Sequence, residues 1–94
     1  MKTNTKNILL PTDFSDNSWS AIVYTLKLYA DESCTFYILH SAYLSVSSIS
    51  DKFSKVFKDV EEKAKTELLE LRTLAETADA NANHEFEVIL SLEN

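Results

Sequence analysis

The chain alternates between short apolar runs and longer segments that have a helical period. Three runs rich in apolar, β-branched and aromatic residues predict strands at about residues 6–12, 35–41 and 84–91. Two segments with apolar residues three and four positions apart predict helices at about residues 15–31 and 51–79. Strands that alternate with helices in this way favour a parallel sheet with right-handed crossovers.

Each predicted helix has one apolar face that we expect to pack on the sheet. In the first helix this face comprises Trp19, Ile22, Val23, Leu26, Tyr29 and Ala30. In the second it comprises Phe53, Val56, Phe57, Val60, Ala64, Leu68, Leu71, Ala75 and Ala78. The continuous apolar run at residues 7–12 is typical of a strand buried on both faces. A Ser-rich loop is predicted at residues 42–50.

These elements predict an α/β fold of three layers with a parallel sheet, in the order βαβαβ. The 94 residues suffice for one domain at most. Because the chain stops two or three residues after a strand, we expect residues 1–94 to be a truncated domain, the first half of a doubly wound fold.

Charge and composition narrow the class of protein. The net charge is −6, and nine Lys and Arg residues are spread along the chain, so we expect no nucleic-acid partner. No apolar run is long enough to span a bilayer, so we expect no membrane partner, and residues 1–11 do not have the pattern of a secretory signal. With a single cysteine, Cys34, the sequence predicts a cytoplasmic location.

The sequence contains no glycine, where a chain of this length ordinarily holds about six or seven. Glycine allows the backbone to approach phosphate closely and to take positive φ without a steric cost. Both common glycine-rich phosphate loops, GxGxxG and Walker A, are therefore excluded from this chain.

A polar motif, Pro11-Thr12-Asp13-Phe14-Ser15, follows the first predicted strand and leads into a helix. In open parallel sheets, ligands bind at the carboxyl ends of the strands, so the motif is a candidate binding site. Its alternative role is helix capping, because Asp and Ser are favoured at helix starts. The residues alone leave both roles open.

The chain resembles the universal stress protein family over its whole length. The resemblance is carried by NILLPTDFS at residues 7–15 and ILHS at residues 38–41, each followed by a helix. It implies an adenine nucleotide alpha-hydrolase-like fold and a stress-response regulator of adenine-nucleotide-binding type that is not an enzyme. The nucleotide-binding residues that it implies are Pro11, Thr12, Asp13 and Ser41, which face the adenosine.

In the family pattern, the phosphates are held by a later Gly-x-x-Gly and by a Gly-Ser or Gly-Thr, and neither occurs here. The resemblance therefore implies an incomplete ATP pocket in this chain. ATP or another adenine nucleotide is the ligand implied for the full-length protein, and no cofactor is assigned to the chain itself.

Two other functions are compatible with the pattern. One is an interaction module that forms a homodimer or a strand-exchanged oligomer through the first strand, which we expect at the sheet edge. The other is a receiver-like signalling domain, although the third strand ends Leu90-Ser91-Leu92 without the aspartate that receivers phosphorylate.

No catalytic or metal-binding residue is predicted. His40 and His84 have no cysteine or carboxylate at metal-ligand spacing and are interpreted as ordinary strand-end residues. Cys34 has acidic neighbours and is interpreted as a small packed residue. Asp13 and Asp16 lack an accompanying nucleophile or oxyanion donor.

Overall fold

A computed structural model describes residues 4–43, 51–79 and 81–93 of the chain. The five elements are β1 (Lys6–Pro11), α1 (Asp16–Leu28), β2 (Cys34–Tyr43), α2 (Asp51–Ala78) and β3 (His84–Glu93). All five predicted elements are present in the predicted order. The first helix ends three residues earlier than predicted, and β2 and β3 each continue two residues further. Most of the predicted loop, residues 44–50, lies outside the described residues.

The three strands form one sheet in the order β1-β2-β3, and both neighbouring pairs are parallel. Ile8, Phe36 and Phe86 lie side by side across the sheet, and the same register continues along all three strands. The predicted α/β class and the parallel sheet are thus confirmed. β1 and β3 are the edge strands of the part of the chain that the structure describes.

One face of the sheet carries the core. Its strand residues are even-numbered and belong to one cluster with the buried faces of both helices. The members buried in this cluster are Leu10, Ile22, Leu26, Cys34, Phe36, Ile38, Leu68, Leu71, Ala75 and Phe86. The predicted helix faces are thus confirmed at their centres, while the side chains of Phe53, Val56 and Phe57 lie outside those described.

Both helices lie on this one face, as expected for right-handed crossovers that step in the same direction across the sheet. Residues 4–43, 51–79 and 81–93 thus supply the sheet and one helical layer of the predicted three-layer fold. The opposite face is open, with Leu9 54% exposed and Ile89 40% exposed. The expectation that β1 is buried on both faces is wrong for this part of the chain, because no helix covers its odd-numbered side chains.

A buried polar cluster around His84 links the amino end of β3 to the ends of both helices. Nδ1 of His84 lies 2.8 Å from Oδ2 of Asp79, and both side chains are almost completely buried. Nε2 of the same ring lies 2.9 Å from the carbonyl oxygen of Tyr29. The histidine thus connects the end of α2 and the start of β3 to the end of α1.

Asn81 completes this cluster through its side-chain amide. Its Nδ2 donates to the carbonyl oxygens of Ala30, at 2.6 Å, and Glu32, at 3.0 Å. Nε2 of His84 lies 3.2 Å from the same Nδ2 of Asn81 and 2.9 Å from the carbonyl oxygen of Tyr29. Both ring nitrogens of His84 are thus enclosed by polar partners.

Candidate functional site

A cleft of about 510 Å³ lies at the carboxyl ends of β1 and β2. Its lining residues are Pro11, Thr12, Asp13, Ser15, Asn17, Ser18, Leu39, His40 and Ser41. The four residues singled out from the sequence, Pro11, Thr12, Asp13 and Ser41, are therefore brought together in one place. They meet because β1 and β2 are parallel, so that their carboxyl ends share one edge of the sheet.

Thr12 forms the inner wall of the cleft and is only 7% exposed. Its N–H donates to the carbonyl oxygen of Leu39, which continues the β1–β2 pairing one residue beyond β1. Its hydroxyl accepts from the N–H of Phe14 and lies 3.0 Å from the hydroxyl of Ser18. Since these bonds are internal, Thr12 shapes the cleft and keeps little hydrogen-bonding capacity for a ligand.

The hydroxyls of this wall form a chain with one consistent direction. Ser18 Oγ donates to the carbonyl oxygen of Ser15, so the Thr12 hydroxyl must donate to Ser18 Oγ. Ser15 is the N-cap of α1, and its Oγ accepts from the N–H of Ser18. The start of α1 is thereby fixed against the end of β1.

His40 ties the end of β2 to the same turn. Its Nδ1 lies 3.0 Å from the carbonyl oxygen of Thr12, which can only accept, so Nδ1 carries the proton. The imidazole also packs against the ring of Phe14, with 4.4 Å between the ring centroids. His40 was interpreted from the sequence as an ordinary strand-end residue, yet it lines the cleft and holds its turn.

Asp13 points its carboxylate outward at the mouth of the cleft. Oδ1 accepts from the N–H of Ser15 at 2.9 Å, so Asp13 closes the turn and Ser15 caps the helix. Hydrogen bonding from Ser15, first through its side chain and then through its backbone, holds the pKa of Asp13 below the ordinary 3.8. The exposed side chain is therefore a carboxylate at neutral pH, free to accept further hydrogen bonds.

Phe14 has a φ of 65°, the left-handed region that bulky residues avoid. Among the described residues it is the one non-glycine position with positive φ. Its N–H bond to Thr12 and its ring contact with His40 hold it there. Backbone strain of this kind concentrates at functional sites, so the turn between β1 and α1 is a candidate functional segment.

Pro11 and Ser41 complete the cleft at the ends of the strands, and both are exposed. Pro11 pairs in register with Leu39, and Ser41 follows His40 on β2. These residues offer an apolar strip beside a single hydroxyl. The cleft thus has an apolar side at Pro11 and Leu39 and a polar side at Asp13 and Ser41.

A second cavity, of about 400 Å³, lies between the start of α1 and the middle of α2 and was not foreseen. It shares Thr12, Ser15 and Ser18 with the cleft and is lined further by Phe14, Asp16, Trp19, Glu67, Glu70, Leu71 and Leu74. The sequence gives no signal for it, because it depends on how α2 lies beside α1.

Comparison with known proteins identifies the family of the chain that carries this strand-turn-helix site. The family model described as Universal stress protein family matches residues 4–92. The chain belongs to the universal stress protein family. No curated protein matches the chain in sequence. Membership decides against the receiver-like alternative.

The fold is also similar to a solved structure, the universal stress protein UspA from Lactobacillus plantarum. The two share 17% sequence identity and superpose with a TM-score of 0.62. The match covers 97% of this chain and 64% of that one, so this chain spans a little under two thirds of the UspA structure. At this identity the similarity establishes the universal stress protein fold.

Two further observations apply to the described residues of this universal stress protein. None of their helices is both long enough and apolar enough to cross a membrane. Within residues 4–43, 51–79 and 81–93, no group of three or more His, Cys, Asp or Glu side chains is placed to hold a metal ion.

Proposed function

We propose that this universal stress protein is a stress-response regulator that binds the adenosine part of an adenine nucleotide in the cleft between β1 and β2. The observation that carries the proposal is the convergence of Pro11, Thr12, Asp13 and Ser41 on that cleft. Its volume of about 510 Å³ is within the range of small-ligand sites.

The chemistry of the cleft suits a nucleoside placed in one orientation. The apolar strip at Pro11 and Leu39 is suited to a base, and the Ser41 hydroxyl beside it can donate or accept one hydrogen bond. The exposed carboxylate of Asp13 can accept from ribose hydroxyls, as acidic residues do at other nucleotide sites. We therefore place the ribose at Asp13 and the base between Pro11 and Ser41.

The phosphates have no comparable support in this chain. The negative charge of Asp13 stands beside the start of α1, where the helix dipole would otherwise favour an anion. The sequence has no glycine with which to build a phosphate loop. We propose that the pocket is incomplete and that the nucleotide is bound without turnover.

We place this function in the cytoplasm. Cys34 is a free thiol that is fully buried in the core, which is compatible with a reducing compartment.

Isothermal titration with adenosine and with ATP and magnesium tests the proposal. We expect weak binding of both ligands, with dissociation constants of roughly a millimolar. Because the phosphates gain no contacts, the two constants should agree within about threefold. Micromolar binding of ATP to this chain, or a clear preference for ATP over adenosine, would overturn the incomplete pocket.

Two matched variants locate the binding site. Ser41→Trp fills the cleft and should abolish adenosine binding, whereas Ser91→Trp places the same bulk beside it on β3, outside the cleft. Asp13→Asn should weaken adenosine because it removes the charged acceptor for the ribose. Equal binding by the wild type and Ser41→Trp would show that the adenosine lies elsewhere.

A further inference from the structure

The second cavity, which lies between the start of α1 and the middle of α2 and is termed the interhelical cavity, combines apolar walls with an acidic rim. Its apolar walls are formed by Phe14, Trp19, Leu71 and Leu74. Its rim consists of Asp16 in the first turn of α1 and of Glu67 and Glu70 on α2. The cavity volume of about 400 Å³ is within the range of small-ligand sites.

The charge of the rim is uncompensated. Among the described residues, no lysine, arginine or histidine lines the interhelical cavity. Glu67 and Glu70 form no ion pair within residues 4–43, 51–79 and 81–93. They stand three positions apart on α2 and therefore on one side of the helix, where like charges repel. A cation in the cavity would relieve this repulsion.

Trp19 supplies a second reason to expect a cation. Its indole is half-buried, packs against the core cluster and lines the interhelical cavity. Among aromatic rings, the face of an indole attracts cations most strongly. Leu74 is 57% exposed and offers apolar surface that the body of a ligand would cover.

The interhelical cavity lies on the face of the sheet that α1 and α2 cover. In a doubly wound fold, the chain that follows β3 returns to the outer side of β1. A right-handed crossover in that reversed direction places its helix on the opposite face of the sheet. The remainder of a fold such as that of UspA is therefore expected on the open face and beside β1, away from this cavity.

We propose that the interhelical cavity binds a small organic cation, namely an ammonium group carried on a short apolar body. The ammonium group lies among Asp16, Glu67 and Glu70, close to the indole of Trp19, and the body covers Leu74. The same three acidic residues disfavour an anionic ligand.

This inference is separate from the proposed nucleotide binding. Pro11, Asp13 and Ser41, which were assigned to the base and the ribose, line the cleft and not the interhelical cavity. Ser41→Trp should therefore abolish adenosine binding and leave the binding of a cation unchanged. A failure of either proposal is thus distinguishable from a failure of the other.

The fluorescence of Trp19 tests the proposal, because this residue is the only tryptophan of the chain. Titration of the wild-type chain with phenethylamine should change the fluorescence to saturation. Phenethyl alcohol, which has the same body without the charge, should bind at least about fivefold more weakly. The anion hydrocinnamate should cause no saturable change. Equal affinities for the amine and the alcohol, or no saturation by about 10 mM amine, would overturn the proposal.

Matched substitutions on α2 locate the bound cation. Glu70→Gln should weaken phenethylamine binding about threefold, whereas Glu62→Gln removes the same charge from an exposed position outside the cavity and should leave the affinity unchanged. Leu74→Ser and Leu69→Ser make the same comparison for the apolar body, since both leucines are exposed and only Leu74 lines the cavity. Equal losses within either pair would contradict binding in the interhelical cavity.

Discussion

His40 donates a hydrogen bond from Nδ1 to the carbonyl oxygen of Thr12, 3.0 Å away, and so links the end of β2 to the first residue after β1. The contact joins residues 28 positions apart in sequence. It also orients the imidazole against the ring of Phe14. One half-buried side chain thus supports the whole turn on which the candidate site is built.

Replacing His40 with Phe should destabilise the fold modestly. The ring packing against Phe14 is kept, but the carbonyl oxygen of Thr12 loses its donor, which costs about 1 kcal/mol. Urea unfolding should show this loss, and the melting temperature should fall by about 4–8 °C. Tyr37→Phe is the control, because its exposed hydroxyl makes only a long 3.4 Å contact with Asn7. If both variants unfold like the wild type, the bond from His40 does not anchor the turn.

The ionisation of Asp13 should make stability depend on pH in acid. Its pKa is lower in the folded protein than the ordinary 3.8, because of hydrogen bonds from Ser15. The folded state therefore gains stability from the carboxylate above pH 3.8 and loses it as the pH falls through the lower folded value. Asp13→Asn should flatten this part of the stability curve, measured by urea unfolding between neutral and acidic pH.

Nuclear magnetic resonance gives the matching direct test at Asp13. Its carboxyl should titrate below 3.8 in the wild type, and Ser15→Ala should raise that midpoint, because the first cause of the depression is the Ser15 side chain. Ser15→Ala should also cost about 1 kcal/mol at neutral pH through loss of the N-cap. An Asp13 midpoint that is the same in both proteins would contradict this origin of the shift.

Asp79→Asn should be destabilising. The substitution removes the carboxylate that faces Nδ1 of His84, with both side chains buried, and disrupting such a buried hydrogen bond costs about 1–3 kcal/mol. Denaturant unfolding measures the loss, which is large against the total stability of about 5–15 kcal/mol for a single domain. Asp31→Asn, an exposed change in the turn after α1, should stay within about 0.5 kcal/mol. A mild effect at Asp79 would show that the cluster does not link β3 to the helices.

Cys34 should resist thiol reagents until the protein opens. Its side chain is fully buried, and this burial raises the pKa of the thiol, so little thiolate is present and none is accessible. Labelling with an aromatic disulfide reagent should therefore be slow in buffer and fast in urea. Its rate should rise in Asp79→Asn in proportion to the loss of stability. Rapid labelling of the wild type in buffer would contradict the packing of the core.

The elements and the place of the site were predictable because they depend on local patterns. The helical spacing of Ile22 and Leu26 identified the face of α1 that is buried, and the β-branched and aromatic run around Phe36 identified the central strand. Parallel pairing then brings the carboxyl ends of β1 and β2 together, so Asp13 and Ser41 share a cleft. The end of α1 was less predictable, because the apolar spacing continues through Tyr29 and Ala30 after the helix has ended.

What the sequence could not predict depends on contacts between distant segments. His84 was interpreted as an ordinary residue because one of its partners, the carbonyl oxygen of Tyr29 at the C-cap of α1, lies 55 positions away in sequence. The hydrogen bond that joins Thr12 to the end of β2 likewise depends on a distant residue, because its N–H donates to the carbonyl oxygen of Leu39. The turn at Phe14 gave no signal, because positive φ is normally foreseen from glycine or asparagine.

The left-handed backbone at Phe14 has a consequence for the unfolded chain as well as for the folded one. Wherever another residue replaces glycine in a compatible conformation, the denatured ensemble loses freedom worth about 0.4–1 kcal/mol. Because this sequence contains no glycine, its unfolded chain samples fewer backbone conformations along its whole length. At this turn the strained backbone of Phe14 is offset by the contact of its ring with the imidazole of His40. The loop beside the cleft is therefore pre-organised, and a ligand that binds there need not order it.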